Sequence, residues 1–150
     1  MIDTLIGDSM LDGLKDQDLK RILETAVTVA VVGAKDKPAQ PVDQVGRYLI
    51  RAGYNVIPVH PKRQAVWGLK TYPSLDEIPE KVDIVDLFRA AAYCPEHAKE
   101  VLKLGYTPLA FWMQLGISSP EAGKILKSES IAVIEDRCIK TEHQRLIGTP

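Results

Sequence analysis

The sequence is poor in cysteine, with only Cys94 and Cys138 among 150 residues. A small secreted domain that depends on disulfides usually carries more, so two reduced thiols in a reducing compartment are the simpler interpretation. No apolar run approaches the roughly 18 residues that a membrane-spanning helix needs. Residues 1–14 are acidic rather than basic and lack the long apolar stretch of a signal peptide. These absences predict a cytoplasmic protein with no membrane partner.

The chain also lacks an excess of charge of either sign. Its 19 Lys and Arg residues nearly balance 20 Asp and Glu residues, which leaves a net charge of −1. A broad positive field that attracts polyanions is therefore absent, and no nucleic-acid partner is expected. The hydrophobic share of 45% and the charged share of 26% are ordinary for a globular chain and exclude a fibrous or disordered one.

What the sequence does contain is an alternation of two kinds of apolar segment. Residues 27–32 are almost continuously β-branched, which is typical of a strand buried on both faces of a parallel sheet. Further strands are predicted at residues 54–59, 84–88, 109–113 and 131–134. Apolar residues at helical spacing predict helices at residues 16–25, 42–52, 96–104, 120–127 and 138–146.

Alternating strands and helices are the pattern of βαβ units with a parallel sheet. The predicted fold is therefore α/β, a Rossmann-like doubly wound parallel sheet of about five strands with an extra N-terminal helix. Residues 1–26 are expected to form an N-terminal arm and that helix. Residues 27–150 are expected to form a single nucleotide-binding domain of ordinary size.

The loop after the first predicted strand reads GAKDKPAQP from Gly33 to Pro41. Gly33 allows the backbone to turn sharply and to approach a ligand closely. The helix that begins near Val42 offers free N–H groups and the positive end of its dipole to an anion. The remaining glycines of the G-x-G-x-x-G fingerprint for NAD are missing. A simple turn is the alternative, but the strand, loop and helix together favour a phosphate site.

The second predicted strand ends in His60-Pro61-Lys62-Arg63, without the acidic residue that holds a bare ribose in NAD-binding domains. Two cations at this place suit a ribose that carries an extra phosphate, as in coenzyme A or NADP. The alternative is that Lys62 and Arg63 are ordinary solvated surface charges. The residues alone do not choose between the two nucleotides.

Several short segments, in this order and spacing, resemble the family of small stand-alone CoA-binding proteins. That family is similar to the N-terminal domain of the succinyl-CoA synthetase alpha subunit. The segments are VAVVGA at 29–34 with DKP at 36–38, GYNVIPVHP at 53–61, YPSL at 72–75, WMQLG at 112–116 and DRCIK at 136–140. The resemblance spans roughly residues 20–147 and implies a Rossmann-like sheet that binds coenzyme A.

The resemblance also implies a set of cofactor-binding residues along the ends of four strands. The diphosphate and adenosine are expected near the first loop, the ribose phosphate after the second strand, and the pantetheine near the fourth. The implied residues are Gly33, Ala34, Lys35, Lys37, Pro38, His60, Pro61, Lys62, Arg63, Phe88, Arg89, Gln114, Leu115 and Gly116. The chain departs from the family at three of its positions. Lys35 replaces a small hydroxyl residue, His60 an asparagine, and Ala90 a second arginine.

No residue is assigned a catalytic role, and no metal site is expected. The chain has no serine in a nucleophile elbow and no Cys/His cluster with metal-ligand spacing. His97 is expected on an exposed helix face, and His143 is expected to be a surface or capping residue rather than a base. Glu135 and Asp136 are expected to pair locally with Arg137.

Three functions stay open at this point. The first is a non-catalytic or regulatory module that binds coenzyme A or an acyl-CoA. The second is an NADP-binding redox enzyme or sensor. The third is the CoA-binding subunit of an acyl-CoA synthetase that needs a separate catalytic chain. Either a monomer or a homodimer is compatible with the sequence.

Cys138 follows the last predicted strand, at the edge of the sheet where the ligand is expected. A mixed disulfide between Cys138 and the coenzyme thiol is therefore one hypothesis. A buried, inert thiol is the simpler alternative.

Overall fold

The computed structural model describes residues 13–150, and the predicted arm before the first helix lies mostly outside these residues. The strands within this range are β1 (Thr28–Val32), β2 (Asn55–Val59), β3 (Ala65–Val66), β4 (Leu69–Lys70), β5 (Ile84–Leu87), β6 (Ala110–Met113) and β7 (Ala132–Ile134). The helices are α1 (Asp16–Thr25), α2 (Pro41–Arg51), α3 (Cys94–Leu102), α4 (Pro120–Ile125) and α5 (Ile139–Leu146), with short 3-10 turns at Leu75–Glu77 and Ala91–Tyr93.

Five of these strands form one parallel sheet in the order β2-β1-β5-β6-β7. Side chains alternate between the two faces of each strand. In β1, Val29 and Val31 pack with α1, α2 and α5, whereas Ala30 and Val32 pack with α3 and α4 on the other face. Every residue of β1 is buried, because helices cover both faces. The predicted doubly wound α/β fold with an extra N-terminal helix is confirmed.

The strand order creates the place where a ligand can bind. From β1 the chain runs outward to β2 and then returns to the other side of β1 with β5. The connections that follow β1 and β5 therefore diverge, and a crevice opens beyond the carboxyl ends of these two strands. Open α/β sheets bind their ligands at this switch in strand order.

Residues at the two ends of helix α2 determine where it begins and ends. Pro41 occupies the first turn, where its missing N–H costs no hydrogen bond. At the other end, Gly53 adopts a φ of +97°. The N–H of Gly53 donates to the carbonyl of Ile50 at 3.0 Å, and that of Tyr54 donates to Leu49 at 3.2 Å. This pair of bonds is a Schellman motif, which closes the helix and aims the chain into β2.

A small antiparallel hairpin, β3–β4, lies between the second and third predicted strands, where the sequence predicts neither strand nor helix. Trp67 and Gly68 at its tip have φ values of 54° and 71°, the left-handed pair that a tight hairpin turn requires. The indole of Trp67 packs against Gly46 of α2, and its Nε1 donates to Asp43 Oδ1 at 2.9 Å. These contacts hold the hairpin against α2.

Candidate functional site

A cleft of about 420 Å³ opens at the carboxyl ends of β1, β5 and β6. Six of the predicted cofactor-binding residues line it, and they come from three different loops: Gly33, Lys35, Phe88, Arg89, Gln114 and Leu115. The other lining residues are Gln40, Pro41, Val42, Val45, Ala90, Ile117 and Cys138. The cleft therefore joins the first loop, the start of α2 and the amino end of α5.

Gly33 lets the ends of β1 and β5 come together at the cleft. Its φ is +86°, and a Cβ added there would lie 2.5 Å from the carbonyl oxygen of Phe88. Its N–H donates to the carbonyl of Val59 at 2.9 Å, and the N–H of Ala34 donates to the same oxygen at 3.3 Å. Both amides thus extend the ladder with β2 instead of facing the cleft. Gly33 contributes space, and Ala34 is wholly buried outside the cleft lining.

The amino end of α2 faces the cleft through Gln40, Pro41 and Val42. Proline has no N–H, and the N–H groups of Asp43 and Gln44 both donate to the carbonyl of Gln40 at 3.1 Å. Among the described hydrogen bonds, the Val42 amide is the one in this first turn that is left for a ligand. An anion in the cleft would meet that amide and the positive end of the helix dipole.

Four cations converge around His60 at the end of β2. Burial lowers the pKa of His60, and the positive charges of Arg63, Lys35, Arg89 and Lys62 lower it further. The neutral imidazole accepts a hydrogen bond at Nδ1 from the backbone N–H of Lys62, at 3.0 Å. A site where several positive charges suppress the protonation of a histidine is one that favours an anion.

A second, more open pocket of about 470 Å³ lies beyond β2. The four residues of the predicted His60–Arg63 segment line it, together with Gln64, Lys70, Thr71 and Pro73. Arg63 donates through Nη1 to Asp36 Oδ1 at 2.9 Å, which ties this segment to the first loop. Lys70 enters the pocket from the hairpin. Sequence reasoning missed it because nothing in the local pattern predicts β3 and β4.

Lys37, Pro38 and Gly116 lie outside the lining of both pockets. Lys37 and Pro38 are exposed on the first loop. Gly116 has a φ of +84°, and its N–H donates to Asp136 Oδ1 at 2.6 Å. That bond fastens the loop after β6 to the loop after β7.

Gln114 and Leu115 occupy different depths of the cleft. Gln114 is buried, and its Oε1 accepts a hydrogen bond from the N–H of Ile139 at 3.1 Å. Its side chain therefore positions the amino end of α5. Leu115 is 71% exposed at the rim, where an apolar part of a ligand could cover it.

The expected pairing of Arg137 with Glu135 and Asp136 is wrong. Arg137 instead donates to Glu142 at 2.8 Å, because Glu142 lies in the first turn of α5 and faces back toward it. Glu135 Oε2 accepts a hydrogen bond from the hydroxyl group of Ser118. The acidic residues after β7 are thus engaged by the neighbouring loop rather than by the adjacent arginine.

The expected surface position is also wrong for His143. Helix α5 packs against α2, which buries His143 and places its Nδ1 2.6 Å from the hydroxyl oxygen of Tyr48. Burial lowers the pKa of His143. His97 remains partly exposed on α3 and lies 2.6 Å from Glu100. Within residues 13–150, no cluster of His, Cys, Asp and Glu could hold a metal ion.

Asp86 is the most unusual buried group near the cleft. It lies in the middle of β5, it is fully buried, and neither carboxylate oxygen has a hydrogen-bond partner among residues 13–150. Burial raises the pKa of Asp86 well above its ordinary value, and the nearby Cys138 raises it further. The only sequence signal was an acidic residue within an otherwise apolar strand, and sequence reasoning gave it no role.

Comparison with known proteins places these features in a family context. A family model described as a CoA binding domain matches residues 27–144. The protein YneT of Bacillus subtilis (strain 168) is 38% identical over 126 residues, which cover 84% of this chain and 92% of YneT. The family match spans the residues that line both pockets described above.

Solved structures agree with the sequence comparisons. A Pyrococcus horikoshii OT3 protein superposes with a TM-score of 0.87 and 37% identity, covering 92% of this chain and 96% of the other. A Thermus thermophilus protein gives 0.83 and 42%, with coverages of 89% and 99%.

A dinucleotide-forming acetyl-coenzyme A synthetase of Ca. Korarchaeum cryptofilum gives a TM-score of 0.64 at 24% identity. This chain matches 27% of that enzyme's length, and the likeness shows the fold alone. No helix among the described residues is long and apolar enough to cross a membrane.

Proposed function

Because this chain belongs to the family of CoA binding domains, we propose that it binds coenzyme A or an acyl-CoA as a non-catalytic or regulatory module. The observation that carries the proposal is the cleft at the switch in strand order, with a cationic edge at one end. A nucleotide with several phosphates and a long, less polar arm matches that gradient of charge.

The proposed orientation follows from the charges. The diphosphate lies at the start of α2, where the Val42 amide and the side chains of Lys35 and Arg89 can neutralise it. The ribose 3′-phosphate lies toward Lys62 and Arg63. The exposed loop residues Lys37 and Pro38 and the residue pair His60-Pro61 border the nucleotide, and Ala34 supports it from beneath.

The pantetheine arm runs in the other direction, past Phe88, Gln114 and Leu115 and beside Gly116. It ends near Cys138 at the amino end of α5. The lining there includes Val45 and Ile117, which suit the apolar parts of this arm. A binding role without catalysis is supported by His143 and His97, which are already engaged by Tyr48 and Glu100.

A ligand panel tests this function. The full chain is melted with increasing concentrations of coenzyme A, acetyl-CoA, NAD and NADP. A ligand that binds only the folded state raises the melting temperature as its concentration increases. We expect the CoA compounds to raise it and the nicotinamide nucleotides to leave it unchanged. A shift with NADP but none with coenzyme A would support the redox alternative and overturn the proposal.

The contribution of the ribose phosphate is tested by changing Lys62 and Arg63 together to Ala. Coenzyme A should bind about 10- to 100-fold more weakly, since two charge-assisted contacts of roughly 1.5–3 kcal/mol each are removed in part. The 3′-dephospho analogue should lose little by comparison.

The matched control for that experiment changes Lys124 and Lys127 to Ala, which removes the same charge from an exposed part of the chain away from both pockets. The control should bind coenzyme A like the wild type. Equal weakening for coenzyme A and its dephospho analogue would move the phosphate to another part of the surface.

A further inference from the structure

Cys138 lies in the wall of the same cleft and is only partly buried. It is the N-cap residue of α5, so its side chain is carried at the positive end of that helix. The N–H of Ile139 is held by Gln114 Oε1, which fixes the backbone next to the thiol. The thiol is therefore both accessible from the cleft and held in a defined place.

Asp86 provides an independent sign that this end of the cleft is built for a ligand. Asp86 lies in β5, and Phe88, two residues further along the chain, lines the cleft just after that strand. Its carboxyl group is completely buried and has no hydrogen-bond partner among the described residues. Cys138, which lines the cleft, is one of the groups that raise the pKa of that carboxyl group. A buried acid without a partner is costly to stability and calls for an explanation, and a group with a strongly shifted pKa beside a cleft is a candidate for a functional site.

We propose that Cys138 is a covalent attachment site for the thiol of coenzyme A. The inference rests on the proposed function, because it needs the pantetheine arm to lie in this cleft. The reaction is a thiol–disulfide exchange with coenzyme A disulfide as the oxidant. The thiolate sulfur of Cys138 attacks one sulfur of that disulfide, and the sulfur–sulfur bond of the reagent breaks. A mixed disulfide forms on Cys138, and the second coenzyme A leaves as a thiolate that takes up a proton from water.

The product suits its surroundings. Burial raises the pKa of Asp86 well above its ordinary value, which favours the neutral carboxyl group. The mixed disulfide is also uncharged at sulfur, so it places no charge beside that buried group. The attached coenzyme would keep its phosphates at the cationic edge, so one ligand is held at both ends.

Cys94 serves as an internal comparison. It is wholly buried at the start of α3, on the opposite side of the sheet, and burial raises the pKa of its thiol. Its Sγ lies against the backbone carbonyls of Arg89 and Ala90. Since the thiolate is the attacking species, Cys94 should react far more slowly than Cys138.

The test measures the intact mass of the wild-type chain after incubation with coenzyme A disulfide in the absence of reductant. We expect one coenzyme A adduct, which peptide mapping assigns to Cys138. The Cys94→Ser variant should retain the adduct, and Cys138→Ser should lose it. Mapping of the wild-type chain decides the site even if a variant folds poorly.

Two further measurements distinguish a reagent that binds in the cleft before it reacts from one that reacts with any exposed thiol. Coenzyme A disulfide should modify Cys138 at least about tenfold faster than glutathione disulfide, because binding places the reacting sulfur near its target. Desulfo-coenzyme A, which lacks the thiol, should protect Cys138. Equal rates without protection would mean an ordinary accessible cysteine and would overturn the inference.

The failure of this inference is distinct from the failure of the proposed function. If reduced coenzyme A stabilises the chain but no adduct forms, or only Cys94 is modified, the covalent step is wrong and the binding function stands. If neither coenzyme A nor desulfo-coenzyme A binds, the proposed function fails, and any adduct on Cys138 is incidental.

Discussion

At the scale of single residues, Gly33 shows how one missing Cβ shapes the site. A side chain at this position would meet the backbone carbonyl of Phe88, and its φ of +86° strains any L-residue with a Cβ. The two strand ends could then no longer approach each other as they do here. The glycine after the first strand was predicted from the sequence, but its role there was contact with phosphate. The structure instead uses its N–H for β2.

The first prediction concerns Gly33→Ala. The added methyl group must displace backbone rather than a flexible side chain, so we expect a loss of roughly 1–3 kcal/mol in the free energy of unfolding. The stabilisation by coenzyme A should fall as well, because the cleft floor moves. Urea unfolding with and without ligand measures both effects.

Gly123→Ala is the control for that prediction. Gly123 lies within α4, and a Cβ there would be 3.9 Å from Val133, which is an ordinary contact. Alanine should leave stability unchanged or raise it by up to about 1 kcal/mol. If both variants behave alike, the close approach at Gly33 is not what limits the cleft.

At the scale of elements, the β3–β4 hairpin forms part of the cationic pocket without belonging to the main sheet. It brings Lys70 and Thr71 to the pocket that also contains Lys62 and Arg63. Its contacts with α2 include the indole of Trp67, which packs on Gly46 and donates a hydrogen bond to Asp43. The geometry of the pocket therefore depends on packing at some distance from the charges.

Gly46→Ala tests this dependence. A Cβ at Gly46 would lie 2.1 Å from the ring of Trp67, so the indole must move out. Alanine is the better helix former by about 1 kcal/mol, and the clash should outweigh that gain. We expect lower stability and several-fold weaker binding of coenzyme A, with a smaller change for 3′-dephospho-CoA.

The Trp67→Gly variant tests whether a clash with the indole causes the effect of Gly46→Ala. It removes the indole, so adding Gly46→Ala to it should cost no further affinity. An additional loss in the double variant would contradict steric coupling between the helix and the hairpin.

The hairpin also shows where sequence reasoning ends. The main-sheet strands were predictable, because strands buried on both faces read as short β-branched runs between breakers. Two strands of two residues each carry no such period. Their turn uses Trp67-Gly68 instead of the common Asn-Gly pair, and it is stabilised by contacts with a distant helix.

The residues of the candidate site also differ in whether the sequence could predict their positions. Residues that closely follow predicted strands, such as Lys35, Arg89 and Gln114, were expected at the sheet edge from the alternation of strands and helices together with the family resemblance. Lys70 was not, since it depends on the hairpin. His143 was misplaced because the pattern of α5 does not reveal that α2 covers it.

At the scale of the whole molecule, α5 links the cleft to the periphery of the domain. Its amino end carries Cys138 and is held by Gln114. Its far end is held by Arg145, which makes two hydrogen bonds of 2.8 Å to Asp16 of α1. Between them, His143 is buried against Tyr48. A change that weakens the packing of α5 should therefore affect both the free energy of unfolding and the part of the cleft that contains Cys138.

The last prediction is a loss of stability in mild acid that originates at His143. Burial lowers the pKa of His143 below its ordinary value of 6.5, so the folded state keeps it neutral. As the pH falls below 6.5, the unfolded chain takes up a proton that the folded chain binds less well, and the free energy of unfolding decreases. The slope reaches at most about 1.4 kcal/mol per pH unit for one such group. His60, whose pKa is also lowered, contributes in the same direction.

The carboxylates with lowered pKa values act in a different range. Asp16 and Glu142 stabilise the fold above their ordinary values of 3.8 and 4.5 and lose that effect only at lower pH. Asp16 and Glu142 therefore contribute little between about pH 5 and pH 7. Asp86, whose pKa is raised by burial, opposes the histidines in this range, and its contribution is shared by the wild type and the histidine variants. His143→Gln should be less stable at neutral pH, because the contact with Tyr48 is altered, but its stability should fall less steeply toward acid. His97→Gln removes a histidine elsewhere and serves as the control. The prediction is wrong if the free energy of unfolding of His143→Gln depends on pH as strongly as that of the wild type, or if both variants reduce this dependence equally. Either result would mean that the buried histidine does not make the packing of α5 against α2 sensitive to pH.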